Sequence, residues 1–159
     1  MGTEHLTKLH VDLPNHWGTG GESIWAVDLG NDLYEIRNTP FYAYGLNFGD
    51  VVLATADSPD LKPEIRKVER RSGNQTLRLF FAKDVDPVVQ RPRLDSLRVH
   101  HVSYERCSDR LVALDLEPGA DIDDVRDILD AWTDDGLAEY ETCEERIAGG
   151  FDARPEDDD

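Results

Sequence analysis

The chain of 159 residues has little cysteine, little lysine and no long apolar run. Its two cysteines, Cys107 and Cys143, are too few for the disulfide framework of a small secreted domain. No segment offers the run of about 20 apolar residues that a membrane-spanning helix needs. Residues 1–22 also lack the apolar core of a secretory signal. These absences predict a cytoplasmic protein that does not enter a membrane.

Positive charge is scarce as well, with 17 Lys and Arg residues against 34 Asp and Glu residues and a formal net charge of −17. Such a field repels phosphate backbones, so we expect no nucleic-acid binding and, if there is a partner, a basic protein. Lysine occurs only at Lys8, Lys62, Lys67 and Lys83. This bias suits a salt-rich cytoplasm, but a GC-rich genome explains it equally well, and a halophilic source stays one of two readings.

The first half of the chain is predicted to be β-rich. Residues 1–21, with Pro14 and the run GTGG, predict a flexible N-terminal arm. For residues 22–74 we expect a small antiparallel β half-barrel, in which a turn at Gly30-Asn31-Asp32 joins the first two strands. The strands are expected at 23–28, 33–37, 50–55 and 64–71.

The second half alternates strands with two helices. The clearest helix is capped by Asp121, carries an apolar stripe that includes Val125 and Trp132, and ends before Gly136. Over residues 75–143 the order is strand, helix, strand, strand, helix, strand, which is typical of a ferredoxin-like βαββαβ sandwich. The fold class is therefore α+β. Residues 144–159 end in ARPEDDD and predict an acidic disordered tail.

Two motifs in these segments resemble a known family. The chain is similar, over about residues 22–143, to the uncharacterised bacterial and archaeal proteins grouped as DUF4265. It departs from the family's pattern at Gln75, where a small hydroxyl residue is expected. The resemblance implies a fold and no activity. It rests on an N-x-P-F-x-A-x-G…GD-V-V run and an R-S-G-x-x-T-x-R turn, here Asn38, Pro40, Phe41, Ala43, Gly45, Gly49, Asp50, Val51, Val52, Arg71, Ser72, Gly73, Thr76 and Arg78.

A basic knot, RKVERRSGNQTLRLFF at residues 66–81, stands out in so acidic a chain. One hypothesis is a pocket for a small anionic ligand, in which backbone N–H groups of the Ser72-Gly73-Asn74 turn and arginine guanidinium groups surround a carboxylate or phosphate. The other is a hairpin turn whose arginines pair with carboxylates and hold two halves together. The candidate ligand-binding residues of this knot are Arg70, Arg71, Ser72, Gly73, Thr76 and Arg78.

An aromatic run that includes Phe41 and Tyr44 precedes Asp50. Aromatic side chains with a few convergent polar groups are typical of small-ligand pockets, and Tyr44 and Asp50 are therefore candidate ligand-binding residues as well. Core packing is the alternative, with Gly45 and Gly49 allowing tight turns.

Zinc and catalytic motifs are not found. His100, His101 and the two cysteines do not have the spacing of a zinc site. No motif activates a serine or a cysteine as a nucleophile. We therefore predict no metal, no cofactor and no catalytic residue.

The second helix carries a row of aspartates, which is either a solvated face or a negative surface for a basic partner. Taken together, these features favour a non-enzymatic protein-interaction protein, such as an immunity or regulatory factor. The alternative is a small anionic-ligand binder or enzyme that uses the arginine cluster and the aromatic run. The candidate partner-binding residues are Asp123, Asp124, Asp127 and Asp130.

Overall fold

The computed structural model describes residues 5–16 and 18–155 and shows a mixed α+β fold with two sheets. The first sheet is a closed barrel in which each strand is antiparallel to the next. A meander of five strands ends parallel to its start, and the barrel accordingly closes through a parallel bridge between His10 and Glu64. Its strands are β1 (Leu6–Asp12), β2 (Gly21–Gly30), β3 (Leu33–Ile36), β4 (Val51–Thr55) and β5 (Glu64–Arg70).

Strand β1 lies in the region for which the sequence predicts a flexible arm. Leu9, Val11 and Leu13 are completely buried in the barrel core. They follow the period of two of a half-buried strand, and Pro14 follows the strand rather than breaking it. The expected half-barrel is closed because this strand supplies its missing side. Residues 1–4 and 17 of the predicted arm lie outside the described residues.

The second sheet has four antiparallel strands in the order β7-β8-β6-β9. Both helices of the described chain belong to this lobe, and neither is long and apolar enough to cross a membrane. The strands and helices follow each other in the predicted order. They are β6 (Gln75–Phe81), α1 (Pro87–Ser96) with a 3-10 turn (Leu97–His100), β7 (Val102–Arg106), β8 (Leu111–Leu116), α2 (Ile122–Asp134) and β9 (Ala138–Thr142).

Alternation along β6 gives the second sheet one apolar and one polar face. Leu77, Leu79 and Phe81 pack in a core with the buried face of α2. Thr76 and Arg78 lie on the opposite face, which is covered by residues 37–50, here called the connecting loop, between β3 and β4. The barrel has an apolar core of its own, so a polar joint separates the two cores.

Candidate functional site between the two lobes

The connecting loop is held to the barrel by a carboxylate. Glu22 lies at the start of β2, is only 8% exposed, and accepts hydrogen bonds from three successive backbone N–H groups. The donors are Phe41 at 2.6 Å, Tyr42 at 3.1 Å and Ala43 at 2.9 Å. This contact fixes the aromatic run in place. Glu22 was missed at the sequence level, although its inward parity with Ile24 and Ala26 in β2 is a signal that could have found it.

Asp50 holds the other end of the connecting loop. Its side chain is completely buried and accepts hydrogen bonds from the backbone N–H of Asn47 at 2.9 Å and of Ser72 at 2.8 Å. The Ser72 hydroxyl lies 3.1 Å from its Oδ1, and Arg71 Nη1 lies 3.3 Å from its Oδ2. These donors occupy the carboxylate, so Asp50 acts as a structural acceptor that joins the loop to the 72–74 turn.

The turn proposed as an anion pocket is thus already occupied by an anion of the chain itself. The N–H of Ser72 donates to Asp50, and the N–H of Asn74 donates to the Ser72 hydroxyl at 3.1 Å. Gly73 has a φ of +93°, and a Cβ there would lie 3.3 Å from Pro118, so the position favours glycine. The Thr76 hydroxyl donates to Asn47 at 2.9 Å.

Arg78 is the centre of the joint. It is 3% exposed and donates from Nη1 to the carbonyl of Ala43 at 2.7 Å and from Nε to Glu141 at 3.0 Å. Its guanidinium carbon lies 4.5 Å from the ring centroid of Tyr44, whose hydroxyl donates to the same carboxylate at 2.7 Å. Burial, followed by the hydrogen bond to Glu141, raises the pKa of Tyr44, so the phenol stays protonated and remains a donor. These contacts connect the connecting loop with β6 and β9.

The three candidate arginines of the basic knot, Arg70, Arg71 and Arg78, do not share one site. Arg71 is about half exposed and donates to the carbonyl of Gly45 and to Asp50. It lines a small hollow of about 220 Å³ with Thr76, whereas Arg78 lines a separate cleft. Arg70 ends β5 and is exposed.

The interlobe cleft that Arg78 lines has a volume of about 440 Å³. The aromatic run contributes Phe41, Tyr42 and Tyr44 to its wall, and these side chains are half-buried. Phe80 extends the apolar surface from β6 and is 45% exposed. Aromatic rings therefore line much of the cleft, and Arg78 is the buried cation among them. Its remaining lining residues are Asn15, His16, Leu79, Leu111, Glu139, Tyr140, Glu141, Ala153 and Arg154.

Part of the predicted disordered tail closes one side of the cleft. The carbonyl of Phe151 accepts a hydrogen bond from the N–H of Tyr44 at 2.9 Å. Asp152 is 4% exposed and accepts a hydrogen bond from the N–H of Asn15. Residues 144–155 thus follow a defined path, because two distant loops bind them. Residues 156–159 lie outside the described part of the chain.

The two cysteines lie in different environments. Burial raises the pKa of the Cys143 thiol to about 12, so it stays protonated near neutral pH. Cys107 is exposed and lies 3.4 Å from the Tyr42 hydroxyl. Within residues 5–16 and 18–155, no group of three or more His, Cys, Asp or Glu side chains is arranged to hold a metal ion.

The aspartates of α2 lie outside this cleft on a solvent face. Asp123, Asp124, Asp127 and Asp130 are all exposed. Asp121 caps the helix by accepting from the N–H groups of residues 123 and 124 at 3.0 and 3.3 Å. Asp130 accepts a hydrogen bond from Tyr140 on β9 at 2.6 Å. The acidic face thus borders the β9 edge of the sheet.

Comparisons with known proteins identify a family and a fold. The family described as "Domain of unknown function (DUF4265)" matches residues 22–140. A hypothetical protein from Neisseria gonorrhoeae, known from a crystal structure, has a similar fold, with a TM-score of 0.68 and 15% sequence identity. The similarity covers 91% of this chain and 96% of that one. No curated protein is significantly similar to the chain in sequence.

Proposed function

This chain belongs to the DUF4265 family, whose description assigns no activity, and we propose that it is a non-enzymatic interaction protein for a basic partner. It would work in the cytoplasm as a regulatory or immunity factor that covers a cationic surface of the partner. The observation that carries this proposal is the exposed acidic face of α2 beside an open sheet edge.

The acidic face has carboxylates available to a partner. Asp123, Asp124 and Asp127 are exposed, and the exposed Arg126 of the same helix interacts electrostatically with Asp123 and Asp130. With Asp130 the face has four carboxylates against this one cation, so it stays negative. Carboxylates near a helix N-terminus also interact favourably with the helix dipole, so their like charges are tolerated there. Such a surface steers a basic protein toward α2 and speeds its association.

The neighbouring edge of β9 adds backbone hydrogen-bonding groups. The N–H of Cys143 donates to Thr76 and the N–H of Ala82 donates to Leu137, so odd-numbered residues of β9 face β6. In an antiparallel pair the backbone N–H and C=O groups of the alternate residues then point away from the neighbouring strand, which here applies to Ala138 and Tyr140. Because no strand of the described residues lies beyond β9, a basic segment can pair with this edge while its cations face α2.

Affinity capture from an extract of the native host tests this proposal. We expect the wild-type chain to retain a Lys- and Arg-rich protein that the triple variant Asp123→Asn, Asp124→Asn, Asp127→Asn binds about tenfold more weakly, since exposed pairs contribute roughly 0.5 kcal/mol each. Binding should also weaken as salt is raised.

The matched control removes three exposed carboxylates from the barrel lobe with Asp57→Asn, Asp60→Asn and Glu69→Gln. It changes the net charge by the same amount and should keep the partner. If the control loses the partner as readily as the α2 variant, only net charge matters and the docking face is refuted. Finding no basic protein on the wild type at native salt would also refute it.

The interlobe cleft supports a second candidate function, binding of a small anionic ligand. Its volume of about 440 Å³ is in the range of small-ligand sites, and aromatic rings surround Arg78 there. The ionic partner of Arg78 is Glu141, which is partly exposed at the cleft, so a ligand anion could compete for the guanidinium. Arg71 faces the other hollow and takes no part in this site.

Thermal unfolding with nucleotides and metabolite carboxylates tests the second candidate. A ligand at about 100 times its Kd stabilises the chain by about 2.7 kcal/mol. We expect Phe41→Ala to reduce that shift, and Arg71→Ala, which lies outside the cleft, to keep it. Equal losses in both variants, or no shift with any compound, would exclude an anion site in the cleft.

The finer assignment of the fold is part of this proposal. We assign residues 75–143 to a ferredoxin-like sandwich, which is supported by the strand order β7-β8-β6-β9 with both helices in the same lobe. Residues 22–74, completed by β1, form the barrel lobe. The turn at residues 71–74 is then the chain connection between the two lobes.

A further inference from the structure

The opposite edge of the second sheet has a different character from the β9 edge. β7 is the last strand on that side, and its hydrogen-bonding parity can be read from its two ends. The N–H of Glu117 donates to the carbonyl of His101 at 3.1 Å, and the N–H of Cys107 donates to Leu111 at 2.9 Å. The backbone N–H and C=O groups of the odd-numbered residues of β7 are therefore the ones that bond to β8.

The alternate residues of β7 direct their backbone away from β8, where Tyr104 is partly exposed, Arg106 is exposed and Val102 is buried. In an antiparallel pair, residues that do not bond to the neighbouring strand direct both N–H and C=O the other way, which here applies to Val102, Tyr104 and Arg106. A strand of about five residues is enough to pair with such an edge. Unprotected edges of this kind are templates for an added strand.

Positive charge borders this edge on the side of the helices. The Tyr104 hydroxyl donates to Asp95 at 3.1 Å, which places the phenol beside α1. Arg91 lies one helical turn before Asp95 in α1, Arg98 lies in the 3-10 turn that follows α1, and both act electrostatically on the phenol. With Arg106 at the end of β7, three exposed arginines lie along the edge.

The other side of the edge is not positive. Ser103 and Glu105 point to the barrel side of the sheet, where Glu105 accepts a hydrogen bond from the N–H of Thr39 at 3.4 Å. A strand added here alternates its side chains between these two sides. Carboxylates therefore fit every second position, facing the arginines, with neutral polar residues between them.

We propose that the β7 edge binds an extended polypeptide segment with acidic residues at alternate positions, which adds as a fifth strand beside β7. The backbone of Tyr104 and Arg106 supplies the pairing, and Arg91, Arg98 and Arg106 select the charge. This site lies at the opposite end of the sheet from the acidic face of α2 and does not depend on it.

Binding of an end-blocked peptide of alternating glutamate and threonine to the full chain tests this proposal. Amide hydrogen exchange should slow at Tyr104 and Arg106, whose N–H groups face outward, and stay unchanged at Ser103 and Glu105. Fluorescence anisotropy should show binding of this peptide and not of its lysine counterpart. A peptide N-methylated at its pairing residues should not bind, because it cannot donate to the edge.

Two pairs of substitutions separate the edge from general charge. The double substitution Arg91→Gln with Arg98→Gln should weaken binding of the acidic peptide about two- to fivefold for each arginine removed. The control pair, Lys83→Gln with Arg93→Gln, removes exposed cations elsewhere and should bind normally. Equal binding of the lysine peptide, binding of the N-methylated peptide, or no protection at Tyr104 would overturn the proposal. So would protection that rises with protein concentration alone, since a second copy would then occupy the edge.

Discussion

At the scale of single residues, parity along β6 decides which arginine of the basic knot becomes part of the interior. Arg78 alternates with Leu77 and Leu79 and so points to the polar face, where the connecting loop buries it. Arg71 precedes the strand, remains half exposed and contacts the same loop from another side. Two arginines of one motif therefore contribute differently to the fold: Arg78 is buried between the lobes, whereas Arg71 stays half exposed.

The first prediction concerns these two arginines. Arg78→Met should lower the free energy of unfolding by about 2–3 kcal/mol, because the Ala43 carbonyl and the Glu141 carboxylate lose a charged donor. Arg71→Met should cost about 1 kcal/mol or less, since its guanidinium is largely in water. Urea unfolding of both variants measures the difference. Equal losses would mean that Arg78 is not the main connection between the lobes.

At the scale of elements, α2 shows how aspartates of one helix differ in role. Asp121 accepts from the N–H groups of the first turn, whereas Asp127 lies in the middle of the exposed face. A carboxylate at the N-cap satisfies donors that have no partner within the helix. The mid-helix carboxylate instead adds to the repulsion among its acidic neighbours.

The second prediction compares these two positions by the same substitution. Asp121→Ala should lower the free energy of unfolding by about 1 kcal/mol, because two N–H groups of the first turn lose their acceptor. Asp127→Ala should leave it unchanged or raise it slightly, since alanine favours the helix and one repulsive charge is removed. Thermal unfolding of the pair measures both. A larger loss for Asp127→Ala would show that its carboxylate supports the fold.

At the scale of the whole molecule, the two apolar cores meet through a polar joint that contains partly or fully buried acids. Glu105 and Asp115 lie on the joint face of the second sheet, and burial raises the pKa of both carboxyls. For Asp115 the hydrogen bond from Asn74 at 3.0 Å opposes this shift and a nearby Glu117 adds to it. The joint is therefore sensitive to protonation.

The third prediction follows from the sign of these shifts. An acid whose pKa is higher in the folded state takes up its proton first in that state, so lowering the pH from 7 toward the usual carboxyl range near 4 adds stability. Asp115→Asn keeps an acceptor for Asn74 but removes the titration, and should reduce this gain. Chemical unfolding across that pH range measures it. The exposed control Asp57→Asn should keep the wild-type pH dependence, and a similar reduction in both variants would refute the assignment.

Local patterns in the sequence were enough to place most elements. The cap, apolar stripe and terminal glycine of α2 are close in sequence, and the predicted helix agrees with Ile122–Asp134. The Gly30-Asn31-Asp32 turn takes positive φ at all three residues, and a two-residue hairpin of this kind requires it at Asn31 and Asp32. Such features depend on backbone sterics and on neighbours within a few residues, so they are readable without a fold.

What the tertiary structure alone decided are the contacts between distant segments. Asp50 accepts a hydrogen bond from the N–H of Ser72, 22 residues away, and so occupies the turn for which an anion pocket was one of two hypotheses. Arg78 reaches the carbonyl of residue 43, which is 35 positions away, and thereby becomes part of the joint. The N–H of Asn15 donates to Asp152 across 137 positions and so connects segments near the two ends of the chain. Composition and local sequence determined most of the elements and the acidic surface. Burial of polar groups depends instead on which distant segments meet, and only the folded chain sets that.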